Sequence, residues 1–141
     1  MIEDSSCGLI IKQINEALER QLNNSLRAQD MTAAQLWVLL ELNSEETGKL
    51  SFKMLEKRLR VAQSTISGIV SRLEQKGLVR GVVSPEDVRA KVAEITPEGV
   101  RCCRLSAESR TEAEKRLLSA MDEKEKEKFV YLLKKALDTL S

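Results

Sequence analysis

Apolar residues recur at three- and four-residue intervals along most of this chain, and that pattern gives way once to two short runs of Val and Ile. Ile11, Ile14, Leu18 and Leu22 predict a helix from Cys7 to about Ala28, loosened by Asn23-Asn24 and Gln29-Asp30. Residues 1–6 are polar and read as a frayed terminus. A second helix begins at Met31-Thr32. Thr32 is its N-cap, Gln35 completes a capping box, and Leu36, Leu39, Leu40 and Leu42 make it central. Trp37 sits among these leucines and is expected in the core, with the lining of a ligand pocket as the alternative. Asn43 to Lys49 is a polar loop. A short strand at Leu50-Ser51, pairing with the Val/Ile runs, is an open alternative to loop.

Ser51 then caps a helix over Phe52–Leu59, with Leu55 and Leu59 on one side. Arg60-Val61-Ala62 is a three-residue turn. Gln63 to Lys76 forms the next helix, striped by Ile66, Ile69, Val70 and Leu73, and Gly77 supplies the left-handed stop. Leu78–Val83 and Lys91–Thr96 read as strands of a hairpin with the charged tip SPEDVRA. Thr96 caps and Pro97 opens a helix expected to run to about Ala120, roughly 36 Å long and exposed in its charged middle. Asp122 and Glu125 form a capping box for a last helix, where Phe129, Leu132, Leu133, Ala136, Leu137 and Leu140 make a broad apolar stripe. The predicted fold is mainly α with a small β-hairpin wing. It is a winged helix-turn-helix whose N- and C-terminal helices form a dimerisation lobe. Residues 1–30 and 97–141 are assigned to that lobe and 31–96 to the winged helix-turn-helix, with the helix-turn-helix at 51–77 and the wing at 78–96.

The polar face of the 63–76 helix decides what such a fold is for. It carries Ser64, Gly68, Ser71, Arg72 and Gln75 in place of the usual Glu/Lys mixture. Short side chains with donors and acceptors suit close approach to base edges and phosphates in a DNA major groove. Ala62 stands where an N-cap oxygen is expected, at a cost of about 1 kcal/mol. Gly68 costs about another 1 kcal/mol relative to Ala. Free amides near Gln63 and Ser64 that meet a phosphate, and a glycine that admits the DNA backbone, would account for both. Arg60, Arg72, Lys76, Arg80, Arg89 and Lys91 are candidates for contacts to the DNA backbone. Gln63, Ser64, Thr65 and Ser67 are candidates for base edges or phosphate, and the wing tip reaches phosphate or minor groove. Asp87 is expected to hold Arg89 or the turn.

Net charge is only +1 over 141 residues, yet residues 51–91 contain nine basic and four acidic side chains, an excess of five positive charges. A basic module on an otherwise acidic chain suits oriented binding to a polyanion. No apolar run approaches the ~20 residues that span a bilayer. No basic-then-apolar leader opens the chain, and the expected home is cytoplasmic.

The runs MTAAQLWVLLEL, LRVAQSTISGIVSRLEQKGLVRG and SPEDVRAKVAEITPEG together resemble the MarR family of bacterial transcription regulators. The resemblance rests on Thr32 and Gln35, Ser64-Thr65-Ile66-Ser67, Arg72-Leu73-Glu74 and Lys76-Gly77-Leu78-Val79. It continues with Asp87, Arg89 and Lys91 in the wing and Thr96-Pro97-Glu98-Gly99 after it. It implies a homodimer on a pseudo-palindromic double-stranded DNA site, usually a repressor, often released by a small ligand or by thiol oxidation. The chain departs from the family pattern at Ala62, Gly68 and Val88.

Histidine is absent, which removes Ser-His-Asp and Cys-His catalysis and the usual mixed zinc sites. No cofactor, metal or catalytic set is expected. Cys7, near the start of the first helix, is the candidate redox sensor by analogy with the family, against a passive packing role. Cys102 and Cys103 point about 100° apart on a helix and are not expected to pair. A winged-helix module that binds protein without DNA is the rival reading, disfavoured by the basic excess and the serine-bearing helix face.

Overall fold

A computed structural model describes residues 5–87 and 89–140. Residues 1–4, with most of the frayed terminus expected there, lie outside it, as does the family departure at Val88. The elements are α1 (Ser5–Leu26), α2 (Ala33–Asn43), β1 (Lys49–Ser51), α3 (Phe52–Leu59), α4 (Gln63–Gln75), β2 (Val79–Val83), β3 (Lys91–Ile95), α5 (Pro97–Leu105), α6 (Ala107–Leu117) and α7 (Glu123–Thr139). A 3-10 turn over Arg27–Gln29 joins α1 to α2. The architecture is the expected winged helix-turn-helix.

Helix α2 is the hub because it is apolar nearly all round. Leu36, Val38, Leu39 and Leu42 are fully buried, and α1, α3, α4, α5 and β3 all touch it. Its start is fixed as the sequence predicts: Thr32 Oγ1 accepts the Gln35 N–H at 3.2 Å, and Gln35 Oε1 accepts the Thr32 N–H at 3.3 Å. The apolar stripe of α4 (Ile66, Val70, Leu73) and Leu55 of α3 close the same core, joined by Leu22 and Leu26 from α1.

The short strand at residue 50 exists. β1 pairs antiparallel with β3 (Leu50 opposite Ala93), and β2 pairs with β3 on the other side (Gly81 opposite Ala93), giving the order β1-β3-β2. The wing is therefore a three-stranded sheet, and β1 anchors it to the start of α3.

Two expectations about the chain after the wing are corrected. The single long helix is two helices that meet at Ser106. The Cys103 carbonyl accepts the Ser106 hydroxyl at 2.8 Å and the Arg110 guanidinium at 3.2 Å, side-chain donors that compete with the helical ladder. Nor is the charged middle a bare connector. Ser106 and Ala113 are buried, and α6 packs along α1.

Helix α7 begins at the predicted capping box of Asp122 and Glu125 but buries none of its residues. Leu132, Leu133, Leu137 and Leu140 stay exposed, as do Leu9, Ile10 and Ile11 of α1. Between α1 and α7 lies an apolar groove of about 530 Å³, lined by Ile10, Ile14, Leu18, Phe129 and Leu133 among others. Among the described residues, no helix is long and apolar enough to cross a membrane.

Candidate nucleic-acid interface

Helix α4 lies with its apolar stripe on the core and the other side in solvent. Gln63, Ser64, Thr65, Gly68, Ser71 and Arg72 are exposed, and Ser67 is half-buried. Ala62 holds the extended N-cap conformation but offers no side-chain acceptor. The first-turn amides are left for an acceptor from outside, at the positive end of the helix dipole. A β-carbon on Gly68 would meet nothing within 4 Å. The chain's own packing therefore does not require glycine there.

Beside α4 stands the wing. Glu74 Oε2 accepts the Gly81 N–H at 3.3 Å and ties the helix to β2. A cleft of about 550 Å³ separates Ser67 and Ser71 from Val83, Arg89 and Lys91. At the tip, Asp87 Oδ1 accepts the Arg89 backbone N–H at 3.0 Å and lies 3.7 Å from its guanidinium, so Asp87 shapes the turn as expected. The Arg89 side chain is 92% exposed. Lys91 stands over the Phe52 ring, 5.9 Å from its centroid.

Arg72 Nη1 donates to Gln75 Oε1 at 3.4 Å within its own helix, and three further candidate cations are held by oxygen atoms from distant parts of the chain. Arg80 Nε donates to Glu94 Oε1 at 2.7 Å, and the two residues sit directly opposite each other across β2 and β3. Such a cross-strand charge pair is the signal that could have found Glu94 from sequence once the register was known. Arg60, in the left-handed region at φ 55°, donates from Nη1 to the Leu137 carbonyl at 3.4 Å. Lys76 departs furthest from expectation. Its side chain is only 18% exposed and is bound to Asp30 and Gln35. Arg58, counted in the basic excess, bridges Glu45 at 2.6 Å and Glu41 at 3.5 Å. The positive surface offered outward is narrower than the charge count implies.

A second cavity, about 290 Å³, opens between α1, α2 and α6, walled by Leu18, Leu22, Ala33 and Trp37 with Glu19, Arg110 and Glu114 at its edge. Trp37 is 43% exposed there, which corrects the expectation of a core tryptophan. Residues 36, 39 and 42 already fill the core side of α2, so the ring is turned outward. Cys7 is exposed and lines the α1–α7 groove, whereas Cys103 is buried and Cys102 partly so. Burial pushes both of the latter thiols above the ordinary cysteine range. Glu98 adds to the effect at Cys102, and Arg110 partly offsets it at Cys103.

A family model described as the MarR family matches residues 29–90. The multiple antibiotic resistance protein MarR of Salmonella typhimurium is 31% identical over 96 residues, 68% of this chain and 65% of the relative. The HTH-type transcriptional repressor MdtR of Bacillus subtilis is 28% identical over 95 residues, 67% of this chain and 60% of the relative. The chain thus spans somewhat less than two thirds of the length of the curated relatives it matches. A crystal structure of a mutant MarR from E. coli complexed with operator DNA superposes with a TM-score of 0.84 at 28% identity, covering 92% of each chain. The S. aureus MepR–DNA complex gives 0.87 at 24% identity over 99% of each chain, a likeness of fold.

Proposed function

Because this chain belongs to the MarR family, we propose that it is a cytoplasmic, double-stranded-DNA-binding transcriptional regulator, a repressor acting as a homodimer on a pseudo-palindromic operator, and not an enzyme. One observation carries the reading: the exposed, uncapped, serine-bearing side of α4 stands beside a wing whose Arg89 projects into solvent. Its relatives' operator-bound and repressor descriptions support it. In this reading α4 enters the major groove, with Gln63, Ser64, Thr65, Ser67 and Ser71 facing base edges or phosphate. Gly68 admits close approach, and Arg60, Arg72, Arg80, Arg89 and Lys91 hold the DNA backbone while Asp87 fixes the wing tip.

The apolar groove between α1 and α7 is the face on which a second copy docks, so that residues 1–30 and 97–141 form the dimerisation lobe around 31–96. Two copies of α4 then read half-sites one helical turn, about 34 Å, apart. The Trp37 cavity, between that lobe and α2, is where a small-molecule effector would bind. Cys7 in the α1–α7 groove is placed to report thiol oxidation through the dimer contact. Selection of bound duplexes from a random pool tests the core of the reading. It should return a sequence with two-fold symmetry. Failure to enrich any duplex at moderate salt would favour a winged-helix module that binds protein.

A further inference from the structure

Lys76 ends α4, and its side chain runs inward. Nζ donates to the backbone carbonyl of Asp30 and, at 2.8 Å, to Gln35 Oε1, and the Asp30 carboxylate lies 3.8 Å away. An ammonium has three donors; two are taken here by these oxygens, and the third has the Asp30 carboxylate as its nearby counter-charge. The acceptors are themselves held. Gln35 is 8% exposed, and its Oε1 also receives the Thr32 N–H that starts α2. Asp30 sits at φ 54° with its own N–H bound to the Arg27 carbonyl at 3.0 Å. On the far side of the same exit, the Thr96 hydroxyl donates to the Gly77 carbonyl at 2.7 Å. The end of α4 is clamped between the α1–α2 corner and the start of α5.

A phosphate would have to draw Lys76 away from these two acceptors and displace the neighbouring Asp30 carboxylate, at a side chain only 18% exposed. A mostly buried cation without its partners is strongly unfavourable. We propose that Lys76 is a positioning residue that sets the tilt of α4 against the α1–α2 corner, and is not a DNA contact. The proposal rests on the reading of α4 as the recognition helix. Its leverage follows from length. Thirteen residues make α4 about 20 Å long, so a tilt of about 10° at the clamp moves the other end by roughly 3 Å, close to one base step. In a dimer, a loose clamp in each copy blurs the distance between the two recognition helices.

The test compares Lys76→Met and Gln35→Met in the full chain, on the duplex that the parent selects. Both variants should lose affinity by about tenfold, and the double variant by no more than either alone. Both should keep the parent's slope of log affinity against log salt and accept a wider range of half-site spacings. Gln35 is too buried to touch DNA, so its sharing the defect separates positioning from contact. The proposal is overturned if Lys76→Met lowers the slope by about 0.9 for each copy while Gln35→Met binds as the parent does. It is equally overturned if spacing preference stays sharp in both variants. Should the parent select no duplex at all, the DNA reading fails by itself. The clamp is then judged by thermal unfolding of the same four proteins, where a non-additive cycle supports it and an additive one ends it.

Discussion

Gly99 lies so close to Leu78 that a β-carbon built on it would fall 2.3 Å from the Leu78 carbonyl oxygen. That oxygen already accepts the Thr96 N–H at 3.0 Å, and Gly99 donates its own N–H to the Thr96 hydroxyl at 3.2 Å. The start of α5 is thereby pressed onto the exit of α4. Gly99→Ala should destabilise the fold by about 1–3 kcal/mol through overpacking. Gly68→Ala meets open space and should stabilise it by about 1 kcal/mol while weakening DNA binding. Urea unfolding of the two variants should give shifts of opposite sign; shifts of the same sign would contradict the geometry.

Salt dependence measures how many cations meet phosphate. If a dimer contacts six phosphates, log affinity should fall with log salt at a slope of about −5. Arg89→Ala, at the most exposed cation of the wing tip, should reduce that slope by about 0.9 per copy and weaken binding evenly across sequences. An unchanged slope would remove Arg89 from the interface.

Leu133 is 44% exposed on a helix none of whose described residues is fully buried in its own chain. Leu133→Glu should therefore leave the helical content intact and produce a monomer in sedimentation experiments at micromolar concentration. A dimer that survives the change would place the contact elsewhere. Loss of the fold would mean that α7 supports the monomer.

Thiol reactivity should divide sharply. Cys7 is exposed and should be alkylated first at pH 8. Cys102 and Cys103, raised by burial, should react slowly until the chain opens. Their stabilising effect has a definite sign. The folded protein holds these protons more tightly than the unfolded chain, whose thiols titrate near 9.0. The contribution is complete below that pH and is lost as pH rises through the folded values. Denaturation midpoints should fall as pH rises above about 9, and less so in a Cys102→Ser, Cys103→Ala variant.

Local code settled much of this protein. The capping boxes at Thr32 and Asp122, the cap at Ser51, the stop at Gly77 and the stripe Ile66-Ile69-Val70-Leu73 are interactions between near neighbours in sequence, so spacing alone places them. That was enough for the helix-turn-helix, the wing and the outward side of α4. Interactions between distant residues were not legible in this way. The helix from Pro97 ends early because the Ser106 hydroxyl and Arg110 take a carbonyl, a choice that periodicity does not record. Trp37 faces a cavity because the core side of α2 is already filled by leucines. Arg80, Lys76 and Arg58 all add to the basic excess of residues 51–91, yet their partners, Glu94, the Asp30–Gln35 corner and the Glu41–Glu45 pair, lie between 13 and 46 positions away along the chain. A sequence states how many charges a module has. Only the packed chain decides which have already found a partner, because pairing depends on distances of a few ångströms that folding alone sets.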